Sequence, residues 1–339
     1  MGNKPMGRQS FLLQEPPAIT SWASVAGKKE KEGPLGYCFD ATHNDGYFGE
    51  KTWEQGEKRM QQMALEILAK KAGMKLSEFG LVLSGDLLNQ CIGSSFSLRN
   101  TGIPHLGLYG ACSTMAESLL VGSMVVCGGF SDNVVAMTSS HFASSERQYR
   151  FPLNYGGQRT PTAQWTVTGS GALVLKNNVP LNPRVNAVIF GKIRDLGITD
   201  TNNMGAAMAP AASLLISEFL NETHTTPDDF DLILTGDLGK VGSDILKELL
   251  IKESNIDISA VHNDCGIMIY DAEAQDVHAG GSGCGCSASV VCSYIINKLR
   301  KKELNRVLFV GTGALLSPTS SLQGESVPGI AHGVLLTSD

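Results

Sequence analysis

The chain has 339 residues, 42% of them hydrophobic and 18% charged, a balance that builds one or two large packed units and excludes a disordered chain. A formal net charge of −6 with no basic stripe argues against general nucleic-acid binding. Eight cysteines, at 38, 91, 112, 127, 265, 284, 286 and 292, form no C-x-x-C pair. They offer no zinc ribbon, thioredoxin-type motif or disulfide framework, and a reduced compartment is expected.

The first segment, MGNKPMGRQSFLLQEPP, has no apolar signal core, and Met6 stands where a myristoylation motif needs Ser or Thr. Apolar residues recur at helical spacing over 53–74, with Gly73 as the stop. LVLSG at 81–85 reads as a short strand buried on both faces. In GLYGACSTMAESLLVGSMVVCGGF, residues 107–130, Cys112 stands between a Gly-rich turn and a helix over 113–126. That helix carries one charge, Glu117, so burial on most sides is expected. Strands are expected at 134–141, 171–175, 232–236, 307–314 and 333–336, with a helix opening at the GCGCSA segment. SPTSSLQGESVPGIA, residues 317–331, reads as a hairpin-like insertion. No run of about 18 apolar residues occurs, so the expectation is a soluble protein.

These elements repeat. EFGLVLSGDLLNQ (78–90) matches DFDLILTGDLGKV (229–241), 151 residues apart. GACSTMAESLLVG (110–122) matches GCGCSASVVCSYI (283–295), which sets Cys112 opposite Cys286 at an offset of 174. Thr138 and Thr312 lie at the same offset. The reading is a duplicated α/β unit, with halves 1–177 and 178–339. Central helices sandwiched between sheets then give a layered α/β/α/β/α architecture.

A cysteine just before a helix N-terminus has a route to reactivity, because the helix dipole and free N–H groups favour the thiolate. Gly110 and Ala111 permit a tight turn, and Ser113 or Thr114 can add a donor or a cap. Cys112 thus reads as a nucleophile, a pocket wall or a small buried apolar residue. The Gly-rich TGSGAL and GGSGCG fit neither dinucleotide nor P-loop patterns, and His262, Asp264 and Cys265 have no zinc spacing. No cofactor and no metal are expected.

The duplication, with a cysteine opening a buried helix, resembles the thiolase-like fold of thiolases and ketoacyl synthases. Within it, KEKEGPLGYCFD, GIPHLGLYGACST, TSSHFASSERQYRFPLNYGGQ, NMGAAMAPAA, HNDCGIMIY and AGGSGCGCSA resemble a family of sporulation proteins from spore-forming bacteria, over nearly the whole chain. The fold resemblance puts Cys112 at the acyl-accepting position. It also exposes departures. The thiolase G-H-P turn corresponds to Gly285-Cys286-Ser287, the last-strand cysteine is missing from VGTGALLS, and the ketoacyl synthase histidine corresponds to the Gly236-Asp237 position. If the protein is an acyltransferase, Cys112 must work with His141 or His332.

The family resemblance implies a ligand, dipicolinic acid (pyridine-2,6-dicarboxylate), taken up into the developing spore with integral membrane partners of a sporulation channel. A flat aromatic dianion suits helix N-termini at Cys112–Thr114 and Cys286–Ser287, with Arg147, Arg150 and Arg159 as possible cationic partners. The expected ligand-binding residues are Cys112, Ser113, His141, Asp237, Cys286, Thr312 and His332. The resemblance further implies a homodimer formed through the first half, held at the spore inner membrane by its partners.

Overall fold

A computed structural model gives the structure, which describes residues 3–149 and 159–338. Numbering the main elements in chain order, the first half supplies β1 (Ala18–Ala26), α1 (Trp53–Ala72), β2 (Leu81–Gly85), α2 (Ile92–Leu98) and β3 (His105–Gly107). It continues with α3 (Thr114–Cys127), β4 (Asn133–Ser140), α4 (Phe142–Tyr149) and β5 (Gly169–Lys176). The second supplies β6 (Arg184–Ile189), α5 (Met204–Thr223), β7 (Leu232–Thr235), α6 (Gly239–Ser254) and β8 (His262–Asp264). It closes with α7 (Cys284–Val290), β9 (Arg306–Ala314) and β10 (Gly329–Thr337).

The two halves order their strands alike, β3-β2-β4-β5-β1 and β8-β7-β9-β10-β6, and meet where Arg184 pairs with Ala18. In each, the innermost pair is parallel, β2 with β4 and β7 with β9, and the next strand returns antiparallel. Helix α1 covers one outer face, packing Met60, Ala64 and Leu68 against Val25, Val135 and Val174. Helix α5 covers the other, with Ala211, Leu215 and Phe219 against Ile233, Val310 and Leu335. Between the sheets run α3 and α7, whose Met115, Leu119, Ala288 and Val290 share one core with Leu83, Leu173, Phe309 and Val334. That is the layered thiolase-like architecture. The central strands β2, β5, β7 and β9 are largely apolar because both faces are covered, as the sequence pattern requires.

Local signals explain the boundaries. Thr52 caps α1 by accepting from the Gln55 N–H, and Gly73, at φ 65°, ends it in the left-handed conformation that glycine adopts without a Cβ clash. The expected hairpin at 317–331 is instead a helical turn, Pro318–Leu322, leading into β10. Ser317 accepts from the Ser320 N–H, and Pro318 takes the first helical position, where its missing N–H costs nothing. Among the described residues no helix is long and apolar enough to cross a membrane.

Candidate functional site

Cys112 sits in a single 3₁₀ turn, Ala111–Ser113, that opens α3. Ala111 is held at φ 51°, a left-handed geometry that costs a non-glycine residue about 1–2 kcal/mol. The turn is tied down locally: the Ser113 N–H and hydroxyl donate to the Gly110 carbonyl at 3.1 and 2.6 Å, and the Thr114 hydroxyl donates to the Ala111 carbonyl at 2.6 Å. It also lies on the opposite half. A Cβ at Gly313 would stand 2.7 Å from the Gly110 carbonyl oxygen, so only glycine lets β9 approach this closely.

The residue facing the thiol is Asp237, at the end of β7 and fully buried. One of its oxygens accepts from the Gly283 N–H at 2.7 Å and the Ser282 hydroxyl at 3.1 Å; the other accepts from the Thr312 hydroxyl at 2.8 Å. The Cys112 thiol lies within reach of the same carboxyl as a further donor. Burial raises the Asp237 pKa, with these four donors working against it. For Cys112, burial first and then the Asp237 charge push the thiol well above its ordinary value, against a smaller pull down from Ser282 and Gly283. The helix N-terminus pulls the other way by at most about 2 kcal/mol, which does not offset removal from water beside an anion.

In front of the thiol lies a cavity with about 410 Å³ of atom-free space, part of it open to solvent. Its apolar wall is Leu87, Ala111, Met204, Ala314 and Leu316; its polar groups are Ser145, Glu146, Thr166, Ser282 and Tyr149. The Tyr149 hydroxyl donates to the Leu87 carbonyl at 2.6 Å, and Thr166 donates to Glu146 at 2.9 Å. Thr166 and Ser282 are partners in a two-stranded parallel ribbon, Trp165–Thr166 with Gly281–Ser282, so one wall of the cavity is a seam between distant segments.

Of the seven residues expected at the ligand, the structure brings Cys112, Asp237 and Thr312 together. The other four lie elsewhere. Ser113 turns back to Gly110. His141 is buried with its Nε2 2.6 Å from the Gly46 carbonyl, on the far side of α4 from the cavity. His332 accepts from the Gly191 N–H through Nδ1 at 3.2 Å. Burial lowers the pKa of both rings. Cys286 faces the central core, and Cys284 is the cysteine that clusters with Cys112, Leu87 and Tyr149. Two residues apart at a helix start, these cysteines project differently, and sequence matching alone does not say which one faces the partner turn. No histidine lines the cavity among the described residues.

Arg147 pairs with Glu54, and Arg159 with Asp276, both away from the thiol; Arg150 lies outside the described residues. Ser282, Thr166 and Tyr149 were not foreseen. The ribbon pairing that brings Ser282 and Thr166 in joins residues 116 apart in sequence, Trp165 to Gly281, with no local pattern to announce it. His262, Asp264 and Cys265 make no metal cluster among the described residues. Instead Asp264 caps its neighbours' backbone, accepting from Leu238, Gly239 and Gly266 at 2.8–2.9 Å, and burial pushes its pKa up to about 6.

Comparison with known proteins now adds to this geometry. The family model described as stage V sporulation protein AD matches residues 7–337. Stage V sporulation protein AD of Bacillus subtilis (strain 168) is 46% identical over 332 residues, covering 98% of this chain and 97% of that protein. Among solved structures, an OleA variant from Xanthomonas campestris aligns with a TM-score of 0.61 at 16% identity, over 95% of this chain and 99% of its own. Human mitochondrial 3-ketoacyl-CoA thiolase, solved with CoA, aligns at 0.58 and 14% identity, over 96% and 99%. The 3-oxoacyl-(acyl carrier protein) synthase III of Xanthomonas oryzae pv. oryzae aligns at 0.59 and 16%, over 95% and 99%. At such identities these structures establish the shared fold and nothing more.

Proposed function

Because this chain belongs to the stage V sporulation protein AD family, we propose that it binds dipicolinic acid in the cavity beside Cys112 and acts as a binding protein, not as an acyltransferase. The observation that carries the second half of this reading is Asp237. A thiol becomes an attacking thiolate beside a positive neighbour; Cys112 instead has a buried carboxylate, whose charge disfavours the thiolate. No histidine stands among the cavity's described lining residues, so the imidazole that usually takes a thiol proton and returns it to a leaving group is missing there.

The cavity supports a small flat ligand by its apolar walls and its hydroxyl groups at Ser145, Thr166, Ser282 and Tyr149. Its carboxylates set a condition. Glu146 on the wall and Asp237 behind it repel a bare dianion, so the bound form shares its charge with a proton or a divalent cation. Calorimetric titration with dipicolinic acid, with and without calcium, tests this. Saturable binding that is strengthened by calcium and lost in Ala314→Phe is expected. Binding indifferent to that cavity-filling change, or none, overturns the reading.

A specific feature favours the acyltransferase alternative: the strained Ala111 ahead of Cys112, the kind of backbone geometry found at reactive turns. Incubation with acyl-CoA thioesters followed by intact-mass measurement separates the two. An unmodified chain is expected across acyl lengths, and an adduct that disappears in Cys112→Ala favours catalysis. We extend the proposal to the implied partners. Integral membrane proteins would supply the conduit, since no described helix spans a bilayer. A second copy would cover Leu106 and Tyr109, about half exposed beside the edge strand β3, and Phe96 on the adjoining α2. Sedimentation of wild type against Leu106→Glu checks that contact.

A further inference from the structure

A second pocket lies on the other side of α4. It has about 560 Å³ of atom-free space, part of it open to solvent, and among its lining residues are Lys29, Trp53, His141, Phe142 and Trp165. Phe142 and Trp165 stack face to face, centroids 3.9 Å apart and planes within 10°. Two cations attend the indole: Lys29 Nζ is 4.3 Å and the Arg159 guanidinium 4.9 Å from the Trp165 ring centre. A third, Arg147, lies 5.2 Å from the Trp53 ring.

Arg147 is matched by Glu54, whereas the two cations at the indole are incompletely matched. Lys29 donates to the Gln275 carbonyl and, among the described residues, forms no ion pair. Arg159 pairs with Asp276 through Nη2, but its Nη1 is buried with no acceptor among the described residues. The wall also contains one acid, Glu30, whose carboxylate is taken up by the Tyr270 hydroxyl and the Thr168 N–H. Burial first, then the neighbouring Arg159, lower the Lys29 pKa, against a pull upward from Glu30, Asp276 and Glu32. An aromatic wall beside an ammonium with no ion pair among the described residues and a guanidinium with one unmet nitrogen suits a flat ring that carries carboxylates, through stacking and charge-assisted hydrogen bonds.

We propose that this pocket, walled by Trp53, Phe142 and Trp165 and served by Lys29 and Arg159, is a second binding site for a planar aromatic carboxylate. The choice of pyridine-2,6-dicarboxylate as probe rests on the dipicolinate reading. The two sites share a partition. Helix α4 presents Phe142 and Ala143 to this pocket, and Ser145, Glu146 and Tyr149 to the Cys112 cavity. In the ribbon, Trp165 and Thr166 divide in the same way. A ligand at one site therefore bears on the wall of the other.

The test is calorimetric titration of the full chain with pyridine-2,6-dicarboxylate in wild type, Lys29→Met/Arg159→Gln and Ala314→Phe. Two equivalents are expected in wild type. The double variant should weaken one of them by about tenfold or more, since each lost contact is to a charged group. Ala314→Phe should remove only the other. A single equivalent that survives in Lys29→Met/Arg159→Gln and disappears in Ala314→Phe overturns the second site and leaves the cavity reading intact. A single equivalent lost only in the double variant supports this site and overturns the cavity reading; no binding at all overturns both. Should the double variant not fold, quenching of Trp53 and Trp165 in Ala314→Phe gives the same discrimination, and an unchanged spectrum at saturating probe overturns the proposal.

Discussion

Asp86 and Asp237 stand at matching places in the duplicated L-x-G-D-L segments, both fully buried, and their surroundings give them different work. Asp86 accepts from the Ser94 N–H and hydroxyl at 2.8 Å each and from the Leu88 N–H at 3.0 Å. Its ionisable neighbour is Glu57, itself buried beneath the Ser139 and Ser144 hydroxyls. Asp237 has the Cys112 thiol instead, together with donors from two further segments of the chain, Ser282–Gly283 and Thr312. Duplication kept the carboxylate at the strand end. The loops decided whether it locks a helix in place or borders a cavity.

The comparison breaks first at Asp237 itself. Asp237→Ala leaves buried donors unpaired and should cost roughly 3–5 kcal/mol, read as a fall in denaturation midpoint. Asp237→Asn keeps most of the hydrogen bonds and removes the charge, so the Cys112 thiol should move back down and react faster with iodoacetamide at pH 8. A rate unchanged from wild type would mean that burial alone silences the thiol.

The Asp86 side is probed by pH. Glu57 is pushed up to about 8, by burial first and then by Asp86, from an ordinary 4.5. A raised folded value means that the stability contribution is fully present below about 4.5 and is lost as pH rises through about 8. Between those limits it steepens the loss of stability by about 1.4 kcal/mol per pH unit. Glu57→Gln should flatten that slope, and a pH profile identical to wild type would remove Glu57 from the account. Asp264, pushed up to about 6, adds a smaller loss at lower pH that the variant retains.

The smallest effect sharpens the pairing. Ser94→Ala and Thr312→Ala each delete one hydroxyl donor to their aspartate and should each cost about 1 kcal/mol. A clearly larger loss at Thr312 would show that the cavity-side network is the more tightly coupled.

Much of this was legible in the residues. Both GDL strands, the helix opening at Cys112 and the order of elements follow from apolar spacing and self-similarity, because buried strands and central helices must be apolar wherever they occur. Asp237 was within reach for the same reason, since it follows a strand in a repeat. His141 and His332 were not. Whether the side chain at a strand end faces a cavity or a neighbouring loop depends on packing from elsewhere, here Gly46 and Gly191. The second cavity wall was hidden for a related reason, being a four-residue ribbon with no periodicity of its own.

That ribbon carries a thermodynamic consequence. Thr166 and Ser282 reach the cavity from opposite halves of the chain, so the site exists only when both halves are docked. A ligand held there binds the assembled state and not its parts, and at 100 times its dissociation constant it adds about 2.7 kcal/mol to the free energy of unfolding. Occupancy would thereby become a clasp, so that a filled protein resists thermal unfolding better than an empty one.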